Sequence, residues 1–171
     1  SAVIAIEEVG KDKIVKISNS AVNAEGPAGN LEVDEQYSVA DLLKAMLVVS
    51  SNDAAVAFAD HFTAQGDDLV ARMNEKAREI GMNDTHFANP SGLDADEHYA
   101  SAFDLMLLAS YSLRHERIWE ILSEKSDTVY SVQEKTAHPL LSNNPILHKG
   151  GRNVMGSKPG YTEQASGCMI Q

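Results

Sequence analysis

The chain has 171 residues, 43% of them hydrophobic and 23% charged, which fits one globular domain with a core of ordinary size. Its formal net charge of −11 would repel nucleic-acid phosphates and gives no attraction to anionic membranes, so neither partner is predicted. With a single cysteine, Cys168, the sequence excludes an internal disulfide and a cysteine metal cluster.

The N-terminal part is predicted to contain a helix, two short strands and the start of a core helix. Residues 1–9 indicate a helix that Gly10 ends, because glycine often follows a helix C-terminus. Ser38 with Asp41 three residues later is typical of a capping box, which begins the core helix. The strands are predicted at residues 13–18 and 31–33, with a loop at residues 19–30.

Residues 48–53 form a polar break between two helices that are both predicted to be buried. The apolar residues on either side recur at the spacing of one helix face. They are Val39, Leu42, Leu43, Met46 and Leu47 upstream, and Ala54, Ala55, Phe58, Ala59 and Phe62 downstream. Unpaired buried polar groups cost about 1–3 kcal/mol each, so the polar residues between these helices need partners. Either they cap the second helix, or Ser50 and Asn52 face a cleft and take part in chemistry.

The rest of the chain is predicted to hold three more helices followed by strands. The third helix follows Gly66 and ends at Gly81, and Ser101 with Asp104 begins the fourth. The buried face of the fourth is predicted to include Phe103, Met106, Leu107 and Tyr111. The remaining elements are a short helix at 117–122, strands at 128–132, 161–162 and 168–170, and a loop at 138–148 that precedes Gly150 and Gly151. Helices first and strands last predict an α/β (α+β) fold, with a helical lobe and part of an antiparallel sheet.

Two short motifs far apart in the chain resemble those of penicillin-recognising serine enzymes. Ser50-Ser51-Asn52 has the form Ser-x-Asn, and Lys158-Pro159-Gly160 resembles Lys-Thr-Gly, the second and third motifs of these enzymes. Between them, residues 83–94 and 98–104 resemble the corresponding segment of D-alanyl-D-alanine carboxypeptidases. The resemblance runs from Ala2 to Met169. The chain is therefore identified as similar to a low-molecular-mass penicillin-binding protein, with a β-lactamase/transpeptidase-like fold.

The resemblance implies roles for five residues. Ser50 would relay protons near the nucleophile, Asn52 would bond the substrate amide, and Lys158 would favour anionic forms and hold the terminal carboxylate. Gly160 would let a substrate backbone approach an edge strand, and Thr162 would take part in substrate binding. Without this context, Lys158 would be interpreted as a solvated surface lysine.

The resemblance also implies ligands and a location. The substrates would be peptidoglycan stem peptides, β-lactams would bind at the same site, and no cofactor would be needed. The protein would be exported to the cell envelope or periplasm. Because the printed sequence shows no signal peptide and no apolar run near the roughly 20 residues of a membrane span, we expect a mature or cut form.

The sequence departs from the family pattern in two places. No serine is followed by a lysine three residues later, so the nucleophile motif Ser-x-x-Lys is absent, and residues 1–9 resemble the tail of the helix that carries it. Pro159 stands where threonine is expected, which removes a hydroxyl and a backbone N–H. We therefore expect residues 1–171 to form a single incomplete domain that is inactive as an isolated chain.

Other polar residues carry weaker signals. The six histidines lack the spacing of metal ligands, so no metal site is predicted. His86 and His98 are expected to be structural, with hydrogen bonds in the loop between helices. Asp94 invites an acid–base role, whereas Asp104 fits a capping box better.

Three functions stay open. The first is a serine D-Ala-D-Ala carboxypeptidase, and the second is a binding module for cell-wall peptides or β-lactams that has lost the nucleophile. The third is a helical interaction domain that uses an exposed apolar face. Convergence of Ser50, Asn52 and Lys158 in one cleft would separate the first two from the third.

Overall fold

The computed structural model of the protein describes residues 1–133, 135–149 and 154–171. Its helices are α1 (Ala2–Ile4, continued by a π-helical turn at Ala5–Val9), α2 (Asn19–Val22), α3 (Val39–Val48), α4 (Asn52–Ala64), α5 (Leu69–Glu79), α6 (Ala102–Ser112), α7 (Glu116–Leu122) and α8 (Pro145–Lys149). Its strands are β1 (Ile14–Lys16), β2 (Gln36–Ser38), β3 (Thr85–His86), β4 (Tyr99–Ala100), β5 (Ser126–Tyr130), β6 (Ala137–Leu141), β7 (Lys158–Thr162) and β8 (Ser166–Ile170). Within these residues, no helix is both long enough and apolar enough to span a membrane.

The strands form four separate antiparallel pairs in the described parts of the chain: β1–β2, β3–β4, β5–β6 and β7–β8. The β7–β8 register places Gly160 opposite Cys168 and Thr162 opposite Ser166. The structure therefore confirms a mixed fold of helices and antiparallel strands, with the longer helices in the first two thirds.

Helices α3 and α4 form the centre of the core, as their apolar spacing predicts. Leu42 and Phe58, one from each helix, are both fully buried. Tyr37 of β2 is also fully buried in the same cluster. Burial of a large apolar side chain stabilises a fold by about 1.5–3 kcal/mol, so this cluster fixes how the two helices pack. Their junction, which holds the Ser-x-Asn motif, is thus attached to the larger hydrophobic cluster of the fold.

The predicted caps and helix end are confirmed. The backbone N–H of Asp41 donates to Ser38 Oγ at 3.1 Å, and that of Asp104 donates to Ser101 Oγ at 3.1 Å. Gly10 has a φ of +88°, a conformation that costs glycine little and other residues more. These local signals are reliable because each is settled within one helix turn.

The prediction for residues 19–33 is wrong in two places. Residues 19–22 form α2 rather than loop, because the N–H of Ala21 donates to Ser18 Oγ at 3.0 Å and caps a short helix. Residues 31–33 form no strand, and the partner of β1 is β2. The N–H groups of Leu31 and Glu32 donate instead to the carboxylates of Asp53 and Glu35, at 3.3 and 2.8 Å.

Two predictions in the C-terminal half are also wrong. Residues 138–148 are not a continuous loop, because β6 pairs with β5 and places Pro139 opposite Thr128, and α8 follows. On α6, Phe103 and Met106 are 64% and 53% exposed rather than buried. Gly150 and Gly151 lie outside the described residues.

Candidate active site

The junction between α3 and α4 has an unusual backbone. Ser50 has a φ of +58°, a left-handed conformation that is uncommon for residues other than glycine. The next residue, Ser51, caps α4, since the N–H of Ala54 donates to Ser51 Oγ at 3.1 Å. The two interpretations of this stretch therefore apply to adjacent serines: Ser51 is the cap, and Ser50 is free of that task.

Lys158, the first residue of β7, reaches Ser50 from 108 positions away in the chain. Its Nζ donates to Ser50 Oγ and also to the carbonyl oxygen of Pro159, at 2.7 Å for the latter. The structure thus brings together two of the three residues predicted to be catalytic. Gly156 sits in the segment that leads into β7, close against α7, and an added Cβ there would lie 3.0 Å from the Trp119 carbonyl oxygen.

The environment of Lys158 is apolar enough to change its acidity. Burial lowers the pKa of Lys158 to about 8, because the charged amine loses hydration. In the part of the chain that the structure describes, no carboxylate lies within salt-bridge distance of its Nζ. A half-buried ammonium with no acidic partner among the described residues attracts an anionic ligand, since the local dielectric is lower than that of water.

Asn52, the third predicted catalytic residue, begins α4 and is held by a neighbouring loop. Its Nδ2 donates to the Glu25 carbonyl oxygen at 2.6 Å, and its backbone N–H donates to the Pro27 carbonyl oxygen at 2.8 Å. The side chain is 5% exposed. Among the described residues, no hydrogen bond joins Asn52 to Lys158. The structure therefore pairs Ser50 with Lys158 and fixes Asn52 separately, two residues further on.

Asp53 is a structural partner of this site that sequence reasoning named only as part of the polar break. It is 2% exposed, and its carboxylate accepts hydrogen bonds from the N–H groups of Gly29, at 3.0 and 2.9 Å, and of Leu31, at 3.3 Å. The Ser51 hydroxyl and the Ala54 N–H also donate to it. The available signal was an acidic residue in the first turn of an apolar helix, which is most simply explained by the helix dipole.

The strand side of the site is open. An added Cβ on Gly160 would meet no atom within 4 Å, and Tyr161 is 76% exposed. Thr162 Oγ1 accepts the N–H of Ala165 at 3.0 Å in the turn between β7 and β8, which leaves its own proton free to donate. Within the described residues, β7 pairs with β8 alone, so its other edge is unpaired.

The family-like loop after α5 contributes to the same region. Leu93 Cδ2 lies 3.6 Å from where a Cβ of Gly26 would be, next to the Asn52 amide. The Gln164 N–H donates to Asp94 Oδ2 at 3.2 Å and links this loop to the β7–β8 turn. Asp94 therefore makes a contact between two loops in this structure.

The histidines of this loop and Asp104 have local partners. His86 Nδ1 lies 2.6 Å from the Glu97 carbonyl oxygen, and the N–H of Ala88 donates to His98 Nδ1 at 3.2 Å. Burial lowers the pKa of His98. Asp104 lies in the first turn of α6, and its carboxylate also accepts hydrogen bonds from this loop. The described residues contain no group of three or more His, Cys, Asp or Glu side chains placed to hold a metal ion.

An apolar cavity of about 200 Å³ adjoins Lys158. Its lining includes residues of α1, α3, α5, α6 and α7, together with Ser1 and Ile170. Ser1 and Lys158 thus line the same cavity.

Comparison with known proteins matches nearly the whole chain to the family that its motifs resemble. Residues 2–171 match the family model of D-alanyl-D-alanine carboxypeptidases. D-alanyl-D-alanine carboxypeptidase DacF of Bacillus subtilis is 33% identical over 171 residues, which cover 97% of this chain and 43% of that protein. DacA of Haemophilus influenzae is 35% identical over 136 residues, or 79% of this chain and 33% of that protein. The chain thus spans less than half of the length of these two curated relatives.

Solved structures support the fold. A D-alanyl-D-alanine carboxypeptidase from Mycobacterium tuberculosis superposes with a TM-score of 0.88 at 26% identity, covering 99% of this chain and 63% of that one. Penicillin binding protein 5 from Haemophilus influenzae gives 0.80 at 31% identity, covering 96% of this chain and 48% of that one. The predicted transpeptidase-like fold is confirmed, and the chain belongs to the D-alanyl-D-alanine carboxypeptidase family.

Proposed function

We propose that this chain provides the substrate-binding part of a serine D-Ala-D-Ala carboxypeptidase that acts on peptidoglycan stem peptides and binds β-lactams. The observation that carries the proposal is the contact between Lys158 Nζ and Ser50 Oγ, which joins two motifs 108 residues apart. Placing an amine there without an acidic partner among the described residues costs free energy, because the amine loses hydration. A lysine without a function at this position would be expected to extend into solvent instead.

The proposed roles follow from the chemistry of acyl transfer, which needs a nucleophile, a base, a carboxylate anchor and an oxyanion hole. Lys158, with its pKa lowered to about 8, holds the terminal carboxylate of the substrate and passes protons through Ser50. Asn52 bonds the substrate amide from the rigid side of the cleft. The substrate backbone lies along the open edge of β7, where Gly160 leaves space and the Thr162 hydroxyl can donate.

The nucleophile must come from a Ser-x-x-Lys turn, and no serine of this sequence has a lysine three residues later. Ser1 and Lys158 both line one cavity, so we propose that a Ser-x-x-Lys turn added before Ser1 would begin at the border of the space that Lys158 also lines. Without this motif, the printed residues by themselves are expected to be inactive.

A second candidate function is a non-catalytic module that binds cell-wall peptides or β-lactams. Pro159 favours it, because proline supplies neither the hydroxyl nor the N–H that threonine would offer to a substrate carboxylate. Either function places the protein in the cell envelope or periplasm, where peptidoglycan is found.

The test is intact-mass measurement after incubation with a reporter β-lactam. The printed chain should gain no mass, whereas a version extended before Ser1 by a Ser-x-x-Lys turn should gain one equivalent of the reporter. A stoichiometric adduct on Ser50 of the printed chain would mean that the nucleophile is wrongly assigned. No adduct on a folded extended chain that still binds the reporter reversibly would favour the binding module.

A further inference from the structure

A buried carboxylate lies directly behind the candidate site without a cation beside it. Asp53 is 2% exposed, and in the part of the chain that the structure describes no Lys, Arg or His lies within salt-bridge distance of it. Its charge is balanced by N–H and O–H donors alone, among them the N–H groups of Gly29 and Leu31. Such a charge is retained only where its hydrogen bonds are complete, so these donors hold the loop tightly to the start of α4.

The N-terminal part of the same loop forms hydrogen bonds with Asn52. The carbonyl oxygens of Glu25 and Pro27 accept the side-chain and backbone N–H groups of Asn52, at 2.6 and 2.8 Å. Between them, Gly26 has a φ of +91° and lies so close that a Cβ would come within 2.5 Å of Asn52 Nδ2. The orientation of the Asn52 amide thus depends on where residues 25–27 sit, and residues 29–31 are tied to Asp53.

We propose that Asp53 is a positioning residue that orients the Asn52 amide through the segment 25–31. The carboxylate fixes the position of this segment relative to the first turn of α4. The segment in turn places the Glu25 carbonyl oxygen where it accepts one amide hydrogen of Asn52. The other amide hydrogen and Oδ1 have no partner among the described residues and are left for a ligand. This inference rests on the proposed function only for the identity of that ligand.

Asp104 provides a matched control elsewhere in the fold. It also is 2% exposed and lies in the first turn of a serine-capped helix. Its carboxylate likewise accepts a loop N–H, from Asp84 at 2.8 Å, and a hydroxyl, from Thr85 at 2.7 Å. Replacing either aspartate by asparagine exchanges a buried carboxylate for an amide. Only Asp53 binds the loop that forms hydrogen bonds with Asn52.

The experiment compares Asp53→Asn and Asp104→Asn in the printed chain by NMR. In Asp53→Asn, the Asn52 side-chain amide should shift and its hydrogen exchange should accelerate about tenfold or more, because the loop carbonyl no longer holds it. In Asp104→Asn the Asn52 signals should stay within about twofold of the wild-type exchange rate, although the protein loses stability. Equal behaviour of the Asn52 amide in the two variants would overturn the proposal.

Gly29→Ala keeps the proposal testable if Asp53→Asn does not fold. A Cβ on Gly29 would lie 3.0 Å from Ser51 Oγ and 3.4 Å from an Asp53 carboxylate oxygen, so the loop must move by a few tenths of an ångström. The Asn52 amide should shift in the same direction as in Asp53→Asn, by a smaller amount. An unchanged Asn52 amide in folded Gly29→Ala would overturn the proposal as well.

Acylation of the extended chain separates this inference from the proposed function. Asp53→Asn should slow acylation by the reporter β-lactam about 10- to 100-fold, since misplacing a binding group by about 1 Å can have effects of that size, while Asp104→Asn should slow it less than threefold. If no extended chain is acylated but the Asn52 amide responds to Asp53→Asn, the proposed function fails and the positioning role stands. If both variants are acylated at the wild-type rate, the positioning role fails and the function stands.

Discussion

The two sides of the candidate site are built in opposite ways. On the helix side, Ser50 and Asn52 lie at the junction of two core helices, and the loop behind them is held by the buried carboxylate of Asp53. On the strand side, Lys158 begins a hairpin in which Gly160 and Tyr161 are exposed, with open space around Gly160.

This difference indicates how such a site can be both precise and accessible. The groups that need a fixed orientation lie on the side with many hydrogen bonds, where moving one of them would break several contacts. The groups proposed to meet an extended ligand lie on a strand edge that is unpaired among the described residues, where a ligand backbone can add as a further strand. Substitutions of the buried supporting groups on the first side should therefore change folding stability most, whereas substitutions of the exposed residues on the second should change ligand recognition with little effect on stability.

The largest expected effect is on the helix side. Asp53→Ala leaves the buried N–H groups of Gly29 and Leu31 without an acceptor, and each such group costs about 1–3 kcal/mol. We expect the free energy of unfolding to fall by about 3–5 kcal/mol, measured by chemical denaturation. Tyr161→Ala on the hairpin should change it by less than about 0.5 kcal/mol. Similar losses in the two variants would contradict the contrast between the sides.

A change at Pro159 should affect recognition rather than folding. In the extended chain, Pro159→Thr adds a hydroxyl donor for the substrate carboxylate, and a well-aligned charge-assisted hydrogen bond is worth roughly 1.5–3 kcal/mol. We expect kcat/KM for a D-Ala-D-Ala peptide to rise about ten- to a hundredfold. The free energy of unfolding should stay within about 0.5 kcal/mol, because Pro159 lies on an edge strand. Equal kinetics of the two proteins would show that the hydroxyl is not used.

Two glycines form a matched pair across the site. Gly26→Ala puts a Cβ at 2.5 Å from Asn52 Nδ2 on a backbone with a φ of +91°, so we expect a loss of about 1–3 kcal/mol in the free energy of unfolding. Gly160→Ala adds a methyl group to open space and should change it by less than about 0.5 kcal/mol. Thermal or chemical denaturation of both variants tests this, and a larger loss at Gly160 would falsify the assignment of the rigid side.

The smallest effect concerns the titration of Lys158. Burial lowers its pKa from the ordinary 10.5 to about 8, so its acetylation by an amine-reactive ester should reach half its maximal rate near pH 8. Lys76 is a control, because hydrogen bonds to Glu79 and Glu7 raise its pKa. Mass spectrometry of labelled peptides measures both rates, and equal midpoints would contradict the burial of Lys158.

The same shift gives a signed prediction for stability. Below pH 8 the folded state holds the buried charge and its full desolvation penalty, whereas between pH 8 and 10.5 the unfolded state binds more protons at this residue. The contribution of Lys158 to the free energy of unfolding should therefore rise with pH across that window. Denaturation of the native chain and of Lys158→Met in parallel isolates this contribution, and a parallel pH dependence of the two would contradict it.

Parts of this architecture could be predicted from the sequence, and the reason lies in the range of each interaction. The caps at Ser38 and Ser101 and the helix end at Gly10 depend on neighbours within one turn, so local patterns suffice. The approach of Lys158 to Ser50 could be predicted only because both motifs resemble those of one family. Nothing in their separate sequences specifies that contact.

The missed features depend on distant partners. Asp53 binds a loop 24 residues earlier, and that contact takes the Leu31 N–H away from the strand predicted at residues 31–33. Pro139 is usually a loop signal, yet it fits β6 because the pairing with β5 overrides local preference. On α6, apolar residues lie on nearly every face, so periodicity alone does not decide that Phe103 and Met106 are exposed.

The single cysteine offers a way to watch this site in solution. Cys168 is exposed on β8 and lies directly opposite Gly160 in the hairpin. A fluorophore attached to its thiol would therefore sit across from the strand edge where we place the ligand backbone. Since no other thiol competes for the label, a change in its emission on adding a peptide would report occupancy without any need for turnover.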